Sequence, residues 1–123
     1  MILFLTFIKN NWLAFTLLLL VAITVLSLWP LQTLPSVPGS DKTHHFIAYG
    51  ALMFPTALRK PNYWKIIGLV FIVFSGMIEL IQPYVNRYGE WLDMAANNAG
   101  VVCGLLLAQM MTFLFPSPVN DIQ

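Results

Sequence analysis

Charge is scarce in this chain, and cysteine scarcer still. Only 9% of its 123 residues are Asp, Glu, Lys or Arg, while 59% are hydrophobic; soluble domains carry about 25% charged residues. A water-soluble fold of this length has no interior large enough for that much apolar surface, so the chain is expected to live in a bilayer. Six Lys and Arg stand against five Asp and Glu, a net charge of +1. That excludes the basic field on which nucleic-acid binding depends. The single cysteine, Cys103, lies in an apolar run, which excludes an intramolecular disulfide and a cysteine-cluster metal site. His44 and His45 belong to no H-x-x-x-H or H-E-x-x-H spacing, so neither a metal nor any other cofactor is expected.

What is present is a series of apolar segments divided by proline and short polar connectors. The fold expected from them is all-α, an integral membrane bundle of four transmembrane helices. The first covers 12–29 and is followed by Trp29-Pro30 rather than an A-x-A-like cleavage site, so it reads as an uncleaved span. The loop PLQTLPSVPGS holds three prolines and a glycine, and Ser40 at its end suits the cap of a second helix at 41–58. Pro55 removes one backbone hydrogen bond from that helix. RKPNYWK, basic with interfacial Tyr63 and Trp64, reads as a short cytoplasmic connector. Helices at 66–82 and 92–115 complete the set, with Pro83 between them and Pro116 ending the last; 116–123 is expected to be a disordered tail.

Basic residues set the orientation. Lys9, Arg59, Lys60 and Lys65 fall on the side of the amino terminus, against Lys42 and Arg87 on the other, which places both termini in the cytoplasm. The polar residues of the second, third and fourth helices then collect at the outer face.

The richest polar stretch is ELIQPYVNRYGEWLDMAANNAGVVCG, residues 79–104. Glu79 and Gln82 are three apart, Asp93 and Asn97 four apart, so each pair shares a helix face. Asp41, His45 and Tyr49 recur every four residues and form a third polar stripe. Glu79 lies inside the end of its helix, where a carboxylate requires a proton, a cation or a donor; Arg87 and His45 are the candidates. His45 could also transfer protons near neutral pH. Gly100 and Gly104 continue the Asp93–Asn97 stripe inward and read as sites of close helix packing.

The order DKTHHFIAYG, then E-x-x-Q, then an arginine, then D-x-x-x-N-x-x-G-x-x-x-G resembles the VanZ-like family of small bacterial membrane proteins. Asp41, Lys42, His45, Phe46 and Tyr49 match its D-K-x-x-H-F-x-x-Y part, and Glu79, Gln82, Arg87, Asp93, Asn97 and Gly100 match its later part. The resemblance implies a single multi-pass VanZ-like domain over residues 1–123 in the bacterial plasma (inner) membrane. It also implies a tie to the envelope, because the family's namesake lowers susceptibility to teicoplanin, a glycopeptide that acts on cell-wall precursors. Glu90, within YGEWL, departs from the pattern and weighs against a simple anion-binding loop.

Two functional readings follow. In the first, Asp41, Lys42, His45, Tyr49, Glu79, Gln82, Arg87, Asp93 and Asn97 line an outward-facing site for a cell-envelope or lipid-linked ligand. Lys42 and Arg87 meet its phosphate or carboxylate, and His45, Glu79 and Asp93 are the candidate catalytic groups; whether a bond is made or broken stays open. In the alternative, the chain is a non-catalytic structural adaptor for an envelope complex. The expected partners are the lipid bilayer and either a lipid-linked envelope precursor or a membrane protein, not nucleic acid.

Overall fold

The computed structural model describes residues 1–29, 40–85 and 90–116. Five helices make up this part: α1 (Ile2–Asn10), α2 (Trp12–Leu28), α3 (Asp41–Arg59), α4 (Trp64–Ile81) and α5 (Trp91–Leu114), with one 3-10 turn at Gln82–Val85 after α4. Among the described residues there is no strand. The loop at 30–39, Arg87 and the tail at 117–123 lie outside them.

Helix α3 is the hub. It packs on α1, α2, α4 and α5, and Tyr49, Leu52, Met53, Thr56, Ala57 and Leu58 are all buried. Its sequence is the least apolar of the helices because it carries Asp41, Lys42, His44, His45 and Arg59. The predicted cap is present: Ser40 Oγ accepts from the Thr43 backbone N–H at 3.2 Å. The helix continues through Pro55 and closes at Lys60, which takes a left-handed conformation (φ 52°) and bonds its N–H to the Thr56 carbonyl at 2.7 Å. Lys60 and Lys65 then flank the Trp64 ring at 5.4 and 5.6 Å.

The α3–α5 contact is close because it is lined by glycine. A Cβ on Gly100 would run into the Phe46 carbonyl oxygen, and one on Gly104 into the Gly50 carbonyl oxygen. Gly50 supplies the facing half of that contact, so backbone meets backbone.

The amino-terminal segment corrects the sequence expectation. No element was expected before Trp12, yet Ile2–Asn10 is helical and meets α2 at a bend of 74°. Asn11 makes the bend. Its backbone N–H is shared between the Phe7 and Ile8 carbonyls, its side-chain amide donates to the Phe7 carbonyl at 2.9 Å, and its own carbonyl accepts from Phe15 as α2 begins. Phe7 and Phe15 meet edge-on across the corner, 5.8 Å apart. Leu5 and Ile8 are buried, and α1 lies where α3 and α5 finish, beside Leu58, Thr112 and Phe115.

The outer surface is apolar. Leu17, Leu18, Ile66, Leu69, Leu106 and Phe113 are among the large exposed side chains, an arrangement that suits lipid rather than water. Two helical segments, Trp64–Val85 and Trp91–Leu114, are long and apolar enough to cross a membrane. The bent pair α1 and α2 passes the same test only when taken together. The molecule is a helical membrane protein.

Candidate functional site

Three helices bring polar side chains to one end of the bundle. Helix α3 contributes Lys42 and His45 from its first turns. The last turn of α4 contributes Glu79, and Ser75 lies one turn deeper on the same face. From the first turns of α5 come Asp93 and Asn97.

Asn97 is the link among them. Its side-chain oxygen lies 2.8 Å from His45 Nδ1, and its Nδ2 donates to Ser75 Oγ, also at 2.8 Å. An amide oxygen only accepts, so the contact puts a hydrogen on Nδ1, and a neutral His45 keeps one lone-pair nitrogen. Glu79 Oε1 stands 3.9 Å from the same ring nitrogen, while its Oε2 accepts from the Glu90 backbone N–H at 3.2 Å. Lys42 Nζ donates to Glu90 Oε2 at 3.2 Å and lies 3.7 Å from Asp93 Oδ1.

Burial divides the cluster in two. Lys42 and Glu90 are exposed at the rim, so their pair is screened and weak. Glu79, Asp93 and Asn97 are buried and His45 is nearly so. Glu79 Oε1 and Asp93 Oδ1 are buried oxygens without a hydrogen-bond partner. A carboxylate in that position is costly, because the desolvation penalty is not offset by donors. One ring nitrogen of His45 and one oxygen each of Glu79 and Asp93 fall within 4.8 Å of one another.

The predicted stripes therefore meet, but not all their members do. Asp41 is exposed in the first turn of α3. Tyr49 lies one turn deeper than His45, buried, with its ring tilted against Phe74 at 6.3 Å. Gln82 is fully buried but faces α2, where its Nε2 donates to the Ser27 carbonyl at 3.2 Å; it ties the 3-10 turn to the first long helix. Lys42 is at the site, yet Glu90 rather than a free anion occupies it. Arg87 lies outside the described residues.

Ser75 and Glu90 stand at the site although the sequence reading placed neither among its lining residues, Glu90 having been noted only as a departure from the family pattern. Ser75 stands four residues before Glu79, the same spacing that singled out Asp93 and Asn97. Glu90 stands three before Asp93 and could have been found in the same way. Away from this end, a groove of about 700 Å³ opens between the end of α3 and its connector, the α1–α2 corner and the end of α5, rimmed by Lys9, Arg59 and Lys60 with Trp12 and Tyr63. It has none of the cluster's acids.

Neither a curated protein nor a solved structure matches the chain. A family does: the VanZ/LLP1 model matches residues 1–114, nearly the whole sequence and all five helices, and the chain belongs to that family.

Proposed function

We propose that the protein is a multi-pass resident of the bacterial plasma (inner) membrane whose His45–Glu79–Asp93–Asn97 cluster is an outward-facing site for a cell-envelope or lipid-linked ligand. The carrying observation is the convergence of these side chains from three helices of an apolar bundle. Ionisable groups at membrane depth are expensive and are kept where they act.

In this reading α2, α3, α4 and α5 each cross the bilayer, both termini face the cytoplasm, and residues 1–123 form one domain. The 17 residues of α2 and 19 of α3 reach about 26 and 28 Å, close to a hydrocarbon core. Helix α3 presents Phe46 and Ile47 on its exposed face, and its acids and bases, Asp41, Lys42 and Arg59, lie at its two ends. Helix α1 lies along the inner interface, apolar side down, with Lys9 in its last turn. The basic groove at the same end is consistent with anionic headgroups there.

Lys42 and Arg87 supply positive charge at the mouth for a phosphate or carboxylate, and Glu90 holds Lys42 until a ligand displaces it. Inside, His45, Glu79 and Asp93 position the ligand or carry a proton. The resemblance to proteins that lower teicoplanin susceptibility puts cell-wall precursors first among ligands to test. The adaptor reading has its own support, since Asn97 joins α3, α4 and α5 as a structural clamp would.

The test is photocrosslinking in nanodiscs with a diazirine-bearing polyprenyl diphosphate. A binding site predicts saturable labelling by the wild type and at least tenfold less by Glu79→Gln at equal insertion. Equal labelling of both proteins would overturn the reading and leave the adaptor.

A further inference from the structure

We infer that His45, Glu79 and Asp93 form a divalent-cation site, which rests on the same cluster as the proposed function and gives it a chemistry. Three independent features support it: the donor geometry, the unpaired oxygens and the local charge.

The donor atoms are already gathered. A ring nitrogen and two carboxylate oxygens, one from each of three helices, lie within 4.8 Å of one another. A cation at about 2.1 Å from each donor requires donor–donor separations of about 3.0 to 3.4 Å. The donors must therefore draw together on binding. No sequence spacing signals such a set, because each ligand comes from a different helix; the absence of H-x-x-x-H tests only sites built on one helix.

Two of the oxygens accept no hydrogen bond, although the Lys42 ammonium stands 3.7 Å from Asp93 Oδ1. Glu79 and Asp93 are 8% and 6% exposed, and Glu79 Oε1 and Asp93 Oδ1 accept no hydrogen bond. Glu79 Oε1 faces His45 at 3.9 Å, too long for a hydrogen bond. A metal ion satisfies both oxygens at once. Meanwhile the other oxygen of Glu79 is fixed by the Glu90 N–H, the kind of outer support that orients a metal ligand. The His45 nitrogen beside Glu79 is Nδ1 itself, so a cation bound there exchanges the Asn97 contact for the metal.

The charge also fits. Among the described residues, the carboxylates of Asp41, Glu79, Glu90 and Asp93 outnumber the ammonium of Lys42, so the sign of the local charge favours a cation. One nitrogen and two oxygens suit Mn²⁺, Fe²⁺, Co²⁺ or Zn²⁺ better than Ca²⁺, which takes six to eight oxygens, or Mg²⁺. Three protein ligands leave coordination positions open to an anionic oxygen at headgroup level. A cation held there would be the counter-charge for a phosphate.

The experiment uses the full chain in nanodiscs, stripped with chelator and titrated with Mn²⁺ alone, free ion being read by electron paramagnetic resonance. The expected result is one saturable equivalent per chain in the wild type. Asp93→Asn and Glu79→Gln should each weaken it at least tenfold, and Lys65→Ala, at the opposite end of α4, should retain it. Absorption by Co²⁺ provides a second readout on the wild type alone, with ligand-field bands expected on binding. Should the acid variants lose their helical circular dichroism, that wild-type readout decides. No saturable Mn²⁺ and no Co²⁺ bands in folded wild type would overturn the inference, as would equal binding by folded Asp93→Asn. Neither outcome involves the lipid probe. Lipid labelling without metal binding refutes the cation site alone, and metal binding without labelling refutes the lipid-linked ligand alone.

Discussion

Asn97 holds His45 and Ser75 at once: its two amide atoms are each 2.8 Å from their partners, on α3 and α4. Asn97 and Ser75 are completely buried, so neither has water as an alternative partner. Asn97→Leu keeps the approximate volume but leaves the Ser75 hydroxyl and a His45 N–H unpaired, at a cost of about 1–3 kcal/mol for each buried group left unsatisfied. Adding Ser75→Ala removes one stranded group. The double variant should therefore be more stable than the sum of the single losses predicts, by about 0.5–3 kcal/mol of coupling. Reversible unfolding in mixed micelles measures it, and strict additivity would contradict the geometry.

Much of this site was readable before any coordinates, for definite reasons. Helical spacing put Asp93 with Asn97 and placed His45 between Asp41 and Tyr49, because a rotation of about 100° per residue is a property of the backbone. Prolines, Ser40 and the basic connector fixed α2 to α5 to within a residue or two. The sequence could not reveal which way a long side chain turns. Gln82 shares a face with Glu79, yet it bonds to Ser27 of α2, a choice set by tertiary packing. Lys42 pairs with Glu90, a residue the family pattern does not emphasise. Helix α1 was hidden because its apolar run, ILFLTFI, is too short to read as a span and is cut from that of α2 by Lys9-Asn10-Asn11. The Asn11 side chain, by bonding back to Phe7, closes it as a separate helix.

The glycines on the α3–α5 contact are not equivalent to others in the chain. At Gly104 an added methyl meets the backbone of Gly50, which cannot turn aside, so Gly104→Ala must push α3 and α5 apart. Gly100→Ala meets Phe46 backbone in the same way. Overpacking of this kind costs about 1–3 kcal/mol and here also displaces His45 relative to Asn97. Gly76→Ala is the control: its methyl would meet the flexible end of Met94 at 3.4 Å. Thermal scanning in detergent should show clear losses for the first two and little change for the third. A loss at Gly76 equal to that at Gly104 would mean that the helices are packed differently.

Lys42 and Glu90 are exposed, so their contribution to folding is small even though their atoms are 3.2 Å apart. Lys42→Ala should leave the thermal midpoint within experimental error. If Glu90 restrains Lys42 from a ligand, Glu90→Gln should increase labelling by the anionic lipid probe severalfold, while Lys42→Ala reduces it. Raising salt should reduce probe capture by the wild type as well, because rim charges are screened. Identical labelling in both variants would remove Lys42 from the mouth of the site.

Orientation has a test that does not depend on function. In a Cys103→Ala background, single cysteines replace Leu3, Ser40 and Asn62, all exposed positions. Ser40 caps α3 at the polar-cluster end, whereas Asn62 lies in the connector after Arg59 and Lys60, and Leu3 lies on α1. With both termini inside, a membrane-impermeant maleimide added to intact cells should label position 40 but not 62 or 3. Permeabilisation should then expose position 62. Position 3 separates the two ways α1 can lie: on the inner interface it becomes reactive with 62, whereas a helix crossing with α2 would keep it buried in lipid or carry it to the other side. Labelling of 62 from outside would invert the molecule and turn the His45 cluster towards the cytoplasm. An envelope ligand on the outer leaflet would then be out of reach, although the cation site, which depends only on the three side chains, would still stand.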